Sequence, residues 1–122
     1  MVDYSEKVVL VVDDIQINYL LVKGHLAPTG AKVIWATDGY KAIEIIESEI
    51  KIDLVLMDFN MPGLDGNQTT KIIKSKKKDL PVVLHSTLAN SLKSDNIKDV
   101  YNDILTKPVT AQMLLNIMKM HV

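Results

Sequence analysis

The 122-residue chain contains no cysteine, a single phenylalanine, a single tryptophan, five glycines and four prolines. Without cysteine it can form neither disulfides nor thiolate metal sites, and nothing in it argues for secretion. No apolar run approaches the length of a membrane span. The opening stretch Met1-Val2-Asp3-Tyr4-Ser5-Glu6 is polar and lacks the apolar centre of a signal peptide, so a soluble cytoplasmic protein is expected. An excess of one charge is also missing. The net charge of -1 gives no electrostatic case for nucleic acid or an acidic membrane surface as a partner. What is present, 48% hydrophobic and 24% charged residues with no internal repeat, linker or low-complexity segment, suits one domain over residues 1–122, with its core from about residue 6 to about residue 120.

Two apolar runs organise the rest. Leu54-Val55-Leu56-Met57 has no polar neighbour on either side of its pleat, as in strands buried on both faces of a parallel sheet. Asp58 follows at its carboxyl end, where open α/β sheets place their ligand crevice. Lys7-Val8-Val9-Leu10-Val11-Val12 is a second such run and ends in Asp13-Asp14. If the two strands are neighbours, three carboxylates meet at one sheet edge. They repel one another, so one must stay protonated or a cation must join them. Magnesium suits this better than calcium, because it needs few carboxylates, keeps several waters and accepts a phosphate oxygen.

The remaining segments alternate. A helix is expected from about Gln16 to Leu26, with Ile17, Leu20, Leu21 and Gly24 on its inner face. Pro28 and Gly30 close a turn before a strand at Ala31–Ala36, less uniformly apolar and so assigned to a sheet edge. Thr37-Asp38-Gly39 supplies cap residues for a helix over about Tyr40–Glu49, facing inward with Ala42, Ile43, Ile46 and Ile50. After Met61-Pro62-Gly63 a polar helix runs from about Asp65 to Lys76, anchored by Ile72 and Ile73. The lysines 74, 76, 77 and 78 at its end read as a solvated face. Pro81–His85 is the fourth strand, with Ser86 and Thr87 at its end and His85 read as a structural residue. A weak, mobile helix is expected over Ala89–Asp99, a short fifth strand over Asn102–Thr106 before Lys107-Pro108, and a last helix over Thr110–Met120, apolar on more than one face. Five strands alternating with five helices give a doubly wound parallel α/β sheet, and right-handed crossovers favour the flavodoxin-like order 2-1-3-4-5.

From about Glu6 to Met120 the chain resembles the receiver (CheY-like) domain of two-component response regulators. The resemblance rests on Asp13-Asp14 after the first strand, Asp58 with Met61-Pro62-Gly63 after the third, Ser86 after the fourth and Lys107-Pro108 after the fifth. It implies that Asp58 is a phosphoacceptor for a phosphohistidine on a histidine kinase or phosphotransfer protein. It further implies that Mg2+ is held by Asp14, by Asp13 directly or through water, by Asp58 and by the carbonyl of Asn60. Lys107 would pair with Asp58 and then with the phosphoryl group, Ser86 would donate to a phosphoryl oxygen, and the bond before Pro108 would be cis. A homodimer through the last helix and fifth strand is also implied, and Gly39-Tyr40-Lys41-Ala42 resembles receivers of hybrid kinases.

Three features depart from the family pattern. Ile104 occupies the position three before Lys107 where the family has Tyr or Phe, Ser86-Thr87 offers two hydroxyls in place of hydroxyl-alanine, and no glycine precedes the fifth strand. The function expected is a phosphorylation-switched signalling domain that takes part in its own phosphorylation and turns over no external substrate. An inert receiver-like docking module is the alternative. An aspartate-nucleophile phosphohydrolase would carry Asp-x-Asp after the first strand. A flavodoxin-type cofactor site would need a hydroxyl- and glycine-rich loop where Asp13-Asp14-Ile15-Gln16 would repel phosphate.

Overall fold

The computed structural model describes residues 3–87 and 97–122. Five parallel strands, β1 (Val8–Val12), β2 (Lys32–Ala36), β3 (Leu54–Met57), β4 (Val82–Ser86) and β5 (Asp103–Thr106), form one sheet in the order β2-β1-β3-β4-β5. The helices are α1 (Gln16–Leu26), α2 (Gly39–Glu47), α3 (Gly66–Lys76), α4 (Ile97–Val100) and α5 (Ala111–His121), with a 3-10 turn at Ala27–Thr29. The order is the one expected, with β2 at an edge. Residues 88–96 lie outside the described residues, among them 89–96 of the weak helix expected over Ala89–Asp99; the end of that segment falls in α4.

Alternation along the strands divides the core in two. Leu10, Val12, Val55, Met57, Val82 and Leu84 pack with Ala42 and Ile46 of α2 and Ile73 of α3. Val9, Val11, Leu54, Leu56, Val83 and Leu105 pack with Val22 and Leu26 of α1 and Leu114, Ile117 and Met118 of α5. A one-residue slip of β1, β3 or β4 would exchange its residues between the two clusters. Asp38 caps α2 by accepting from Lys41 N at 2.8 Å. Asp65 and Gln68 form a reciprocal capping box on α3, and Thr110 caps α5.

Three expected faces are corrected. On α1 the inward residues are Val22 and Leu26, while Ile17, Leu20 and Leu21 are 57%, 45% and 41% exposed and a methyl at Gly24 would touch nothing. The reason is that Asn18 and His25 also face inward, each with a specific partner. Asn18 Nδ2 donates to Asp13 at 3.2 Å, and His25 Nε2 lies 3.0 Å from the carbonyl of Val109. Ile50 lies beyond the end of α2 and is exposed. On α3, Thr69 and Thr70 are fully buried beside Ile73, a role their polarity concealed. Nor is the lysine run wholly solvated: Lys74 Nζ donates to the carbonyl of Leu80 and to Asn102, and partial burial lowers its pKa.

Candidate functional site

Val12 and Met57 are opposite one another in the β1–β3 ladder, so the residues that follow, Asp13 and Asp58, leave the sheet side by side. Asp58 N donates to the carbonyl of Val12 at 2.9 Å, and Asp13 N to that of Ala36 at 3.1 Å. Carboxylate oxygens of Asp13, Asp14 and Asp58 all lie within 4.8 Å of one another. The three differ in surroundings. Asp13 is completely buried, Asp58 nearly so, and Asp14 is exposed at the mouth.

Lys107 enters from the far side of the sheet. The pairing of Ser86 with Thr106 continues as Lys107 N donates to the carbonyl of Ser86 at 3.2 Å, and the Lys107-Pro108 peptide is cis. Its ammonium lies 2.8 Å from Asp13 Oδ2 and 3.3 Å from Asp58 Oδ1. The other oxygen of Asp13 accepts from Ile15 N at 2.9 Å and from Asn18. Asp13 is thus a fixed acceptor at the base of the site, and Lys107 is closer to it than to Asp58. Burial pushes the Asp58 carboxyl above its ordinary value. Lys107 opposes that shift, and Asp13 and Asp14 add to it. An arriving cation would relieve this unfavourable charge.

Ser86 is the buried last residue of β4, and Thr87 is the exposed turn residue beyond it. Asn60 is exposed in the loop two residues after Asp58. Of the six residues singled out in the sequence, Asp13, Asp14, Asp58 and Lys107 therefore converge directly. Ser86 ends the strand next to β3, and Asn60 lies on the loop that leaves Asp58. His85 is buried, its Nε2 has no hydrogen-bond partner among the described residues, and burial lowers its pKa to about 4, so it stays neutral near pH 7.

Two supporting residues went unassigned in the sequence. Asn18 buttresses Asp13, and the indole N–H of Trp35 donates to the Asp13 carbonyl at 2.8 Å while its ring stacks on Tyr19 with centroids 5.4 Å apart. The register that pairs Val11 with Trp35 brings the indole there, and no local motif announces it.

The sequence signature of the response regulator receiver domain matches residues 9–119. The sensor histidine kinase GacS of Pseudomonas protegens is 35% identical over 115 residues, which are 89% of this chain and 12% of that protein. The sensor histidine kinase RcsC of Escherichia coli K12 is 34% identical over 115 residues, 92% of this chain and again 12% of the kinase. The chain therefore spans a small fraction of the length of these relatives. Among solved structures, the chemotaxis protein CheY4 of Vibrio cholerae superposes with a TM-score of 0.85 at 26% identity, covering 95% of this chain and 98% of that one. TrrA of Thermotoga maritima, a response regulator determined in complex with magnesium and beryllofluoride, superposes with a TM-score of 0.84 at 27% identity, covering 95% and 99%. With the signature running through nearly the whole chain and the strand order of the fold reproduced, this protein belongs to the response regulator receiver domain family.

Proposed function

We propose that Asp58 accepts a phosphoryl group from a phosphohistidine on a histidine kinase or phosphotransfer protein, in a magnesium-dependent reaction, and that the chain works as one receiver unit. The observation that carries this reading is the convergence of three carboxylates and the Lys107 ammonium at the carboxyl edge of β1, β3 and β5. Asp14, Asp58 and the carbonyl of Asn60 would hold the ion, with Asp13 acting directly or through water. Hard oxygen donors with an exposed carboxylate at the mouth suit an ion that keeps several waters, and the TrrA complex supports the assignment. When bound, magnesium supplies charge neutralisation for the phosphoryl oxygens.

The chain's own groups supply the rest. A carboxylate oxygen of Asp58 attacks phosphorus in line with the scissile P–N bond. That bond breaks, its electron pair returns to the imidazole, and the imidazole takes up a proton and leaves as neutral histidine. Lys107, already 3.3 Å from Asp58, stays with the transferred group, and Ser86 donates to one of its oxygens. The formal charges of Asp13, Asp14, Asp58, Lys107 and magnesium cancel before transfer. The phosphoryl group then adds negative charge, which rearranges the neighbouring loops and the outer surface. No external substrate is turned over, and the domain's product is its own altered state.

Ile15, Ile17, Leu20 and Leu21 form an exposed apolar stripe that starts two residues after Asp13. Such a stripe beside the acceptor fits the helical, apolar flank of a kinase or phosphotransfer partner. A dimer through β5 and α5 belongs to the same proposal, because β5 is an outer strand and Met120 of α5 is exposed. Gel filtration with and without beryllofluoride tests it, and a monomer in both conditions removes it.

Intact-protein mass after incubation with acetyl phosphate and magnesium tests the central claim. One base-labile phosphoryl adduct is expected, absent from Asp58→Asn and from metal-free protein. An unmodified wild type, with no change of Trp35 fluorescence on adding beryllofluoride, would leave an inert docking module as the better reading.

A further inference from the structure

Tyr101 lies outside the acceptor constellation, yet its hydroxyl bonds the first turn of α3, the helix that follows the loop leaving Asp58. The residue is 4% exposed and packs in the core beneath α2 and α3, with Phe59 and Ile104 against the same cluster. Its hydroxyl donates to Asn67 Oδ1 at 2.8 Å, in the first turn of α3. Burial holds the phenol pKa well above its ordinary value, so the group is a permanent donor at working pH.

The place where it bonds is crowded. A methyl group at Gly66 would collide with the backbone carbonyl of Asp58 and come within 2.9 Å of the Tyr101 oxygen and 3.0 Å of Phe59 Cα. Gly66 N also donates to the carbonyl of Phe59 at 2.9 Å, closing the loop that leaves the acceptor. Gly66 is therefore bordered at once by the Asp58 carbonyl, by Phe59 and by the Tyr101 hydroxyl, and only a residue without a side chain fits between them. The other end of Tyr101 belongs to a different element. Its N–H donates to Ile97 O of α4 at 2.8 Å, and the next residue, Asn102, exchanges bonds with β4: Asn102 N to Val82 O at 2.8 Å and Val82 N to Asn102 Oδ1 at 2.9 Å.

We propose that Tyr101 is a positioning residue that ties the acceptor loop to the start of β5, so that a shift of the Asp58–Gly66 backbone is passed through the Asn67 bond to α4 and β5. The inference rests on the phosphoacceptor reading given above. A tyrosine that merely filled the core would need no hydroxyl at this point, and its loss would affect stability alone. A coupling tyrosine makes the hydroxyl matter to communication while the ring keeps the packing.

The test is the response of backbone amide resonances to magnesium plus beryllofluoride in wild type, Tyr101→Phe and Asn67→Ala. In wild type the amides of Phe59 and Gly66 and those of Asn102, Asp103 and Ile104 are all expected to shift. In each variant the Phe59 and Gly66 shifts persist while most of the shift at 102–104 is lost. The double variant is expected to lose no more than either single one, since both remove the same bond. A Tyr101→Phe or Asn67→Ala protein that passes the full shift to 102–104 overturns this proposal alone. A wild type whose Phe59 and Gly66 amides ignore the ligand overturns the phosphoacceptor reading, and this one with it.

Discussion

The two helices that follow the strands carrying Asp13 and Asp58, α1 after β1 and α3 after β3, treat polarity in opposite ways. α1 turns Asn18 and His25 inward and leaves Ile17, Leu20 and Leu21 outside, whereas α3 buries Thr69 and Thr70 and presents Lys71, Lys76 and other polar residues to solvent. In both, most inward polar groups have a stated partner. Asn18 bonds Asp13, His25 bonds the Val109 carbonyl, and Thr69 Oγ1 donates to the Asp65 carbonyl at 2.8 Å. What differs is the surface left over. The outer surface of α1 is apolar along Ile17, Leu20 and Leu21, while that of α3 is polar and becomes cationic toward its end at Lys76.

The sharpest way to break that contrast is to truncate each side of α1. Leu26→Ala removes a fully buried side chain and is expected to cost about 3 kcal/mol in denaturant unfolding. A loss below about 1 kcal/mol would mean that the inward face is misassigned.

The buried His85 gives an effect of comparable size through pH. Its folded pKa of about 4 lies below the unfolded value near 6.5, so the unfolded chain binds the proton more readily. Its contribution is intact above about pH 6.5 and is lost as pH falls toward about 4, amounting to roughly 3 kcal/mol at the acid end. His85→Leu should flatten this part of the stability curve measured by urea unfolding at several pH values. An unchanged slope between about pH 6.5 and about pH 4 would show that other groups dominate.

The adjacent acids sharpen the comparison at the site itself. Magnesium at about ten times its Kd should stabilise the wild type by about 1.4 kcal/mol. Asp14→Asn should abolish most of that gain while leaving metal-free stability nearly unchanged. Asp13→Asn should weaken the metal-free fold as well, because Lys107, Ile15 N and Asn18 all converge on that carboxylate. Thermal melts with and without the ion separate the two. The smallest effect belongs to the outer stripe. Leu21→Ser should change stability by no more than about 0.5 kcal/mol, preserve phosphorylation by acetyl phosphate, and slow transfer from a phosphohistidine partner. Equal transfer rates would remove α1 from the docking surface.

The parts legible in the sequence are those governed by local pattern. Continuous apolar runs at β1, β3 and β4 located the inner strands, and the residue after each run located Asp13, Asp58 and the hydroxyl end of β4. The parts that escaped depend on contacts distant in sequence. Periodicity on α1 fits Ile17, Leu20, Leu21 and Gly24 as readily as the true face, because Asn18 and His25 find their partners only once Asp13 and Val109 are in place. Trp35 and Tyr101 act across 22 and 34 residues respectively. No pattern within a single element foreshadows either bond.

The double burial of the central strands also bears on how long the site endures. Val9 to Val12 and Leu54 to Met57 are wholly shielded from solvent. Their amides should be among the last in the molecule to exchange with deuterium, released only when the whole protein opens. Asp13 and Asp58 are joined directly to those strands, whereas Asp14 lies one residue and Asn60 two residues farther out. Asp58 and its buried neighbour Asp13 are therefore expected to keep their spacing while local breathing changes access to them.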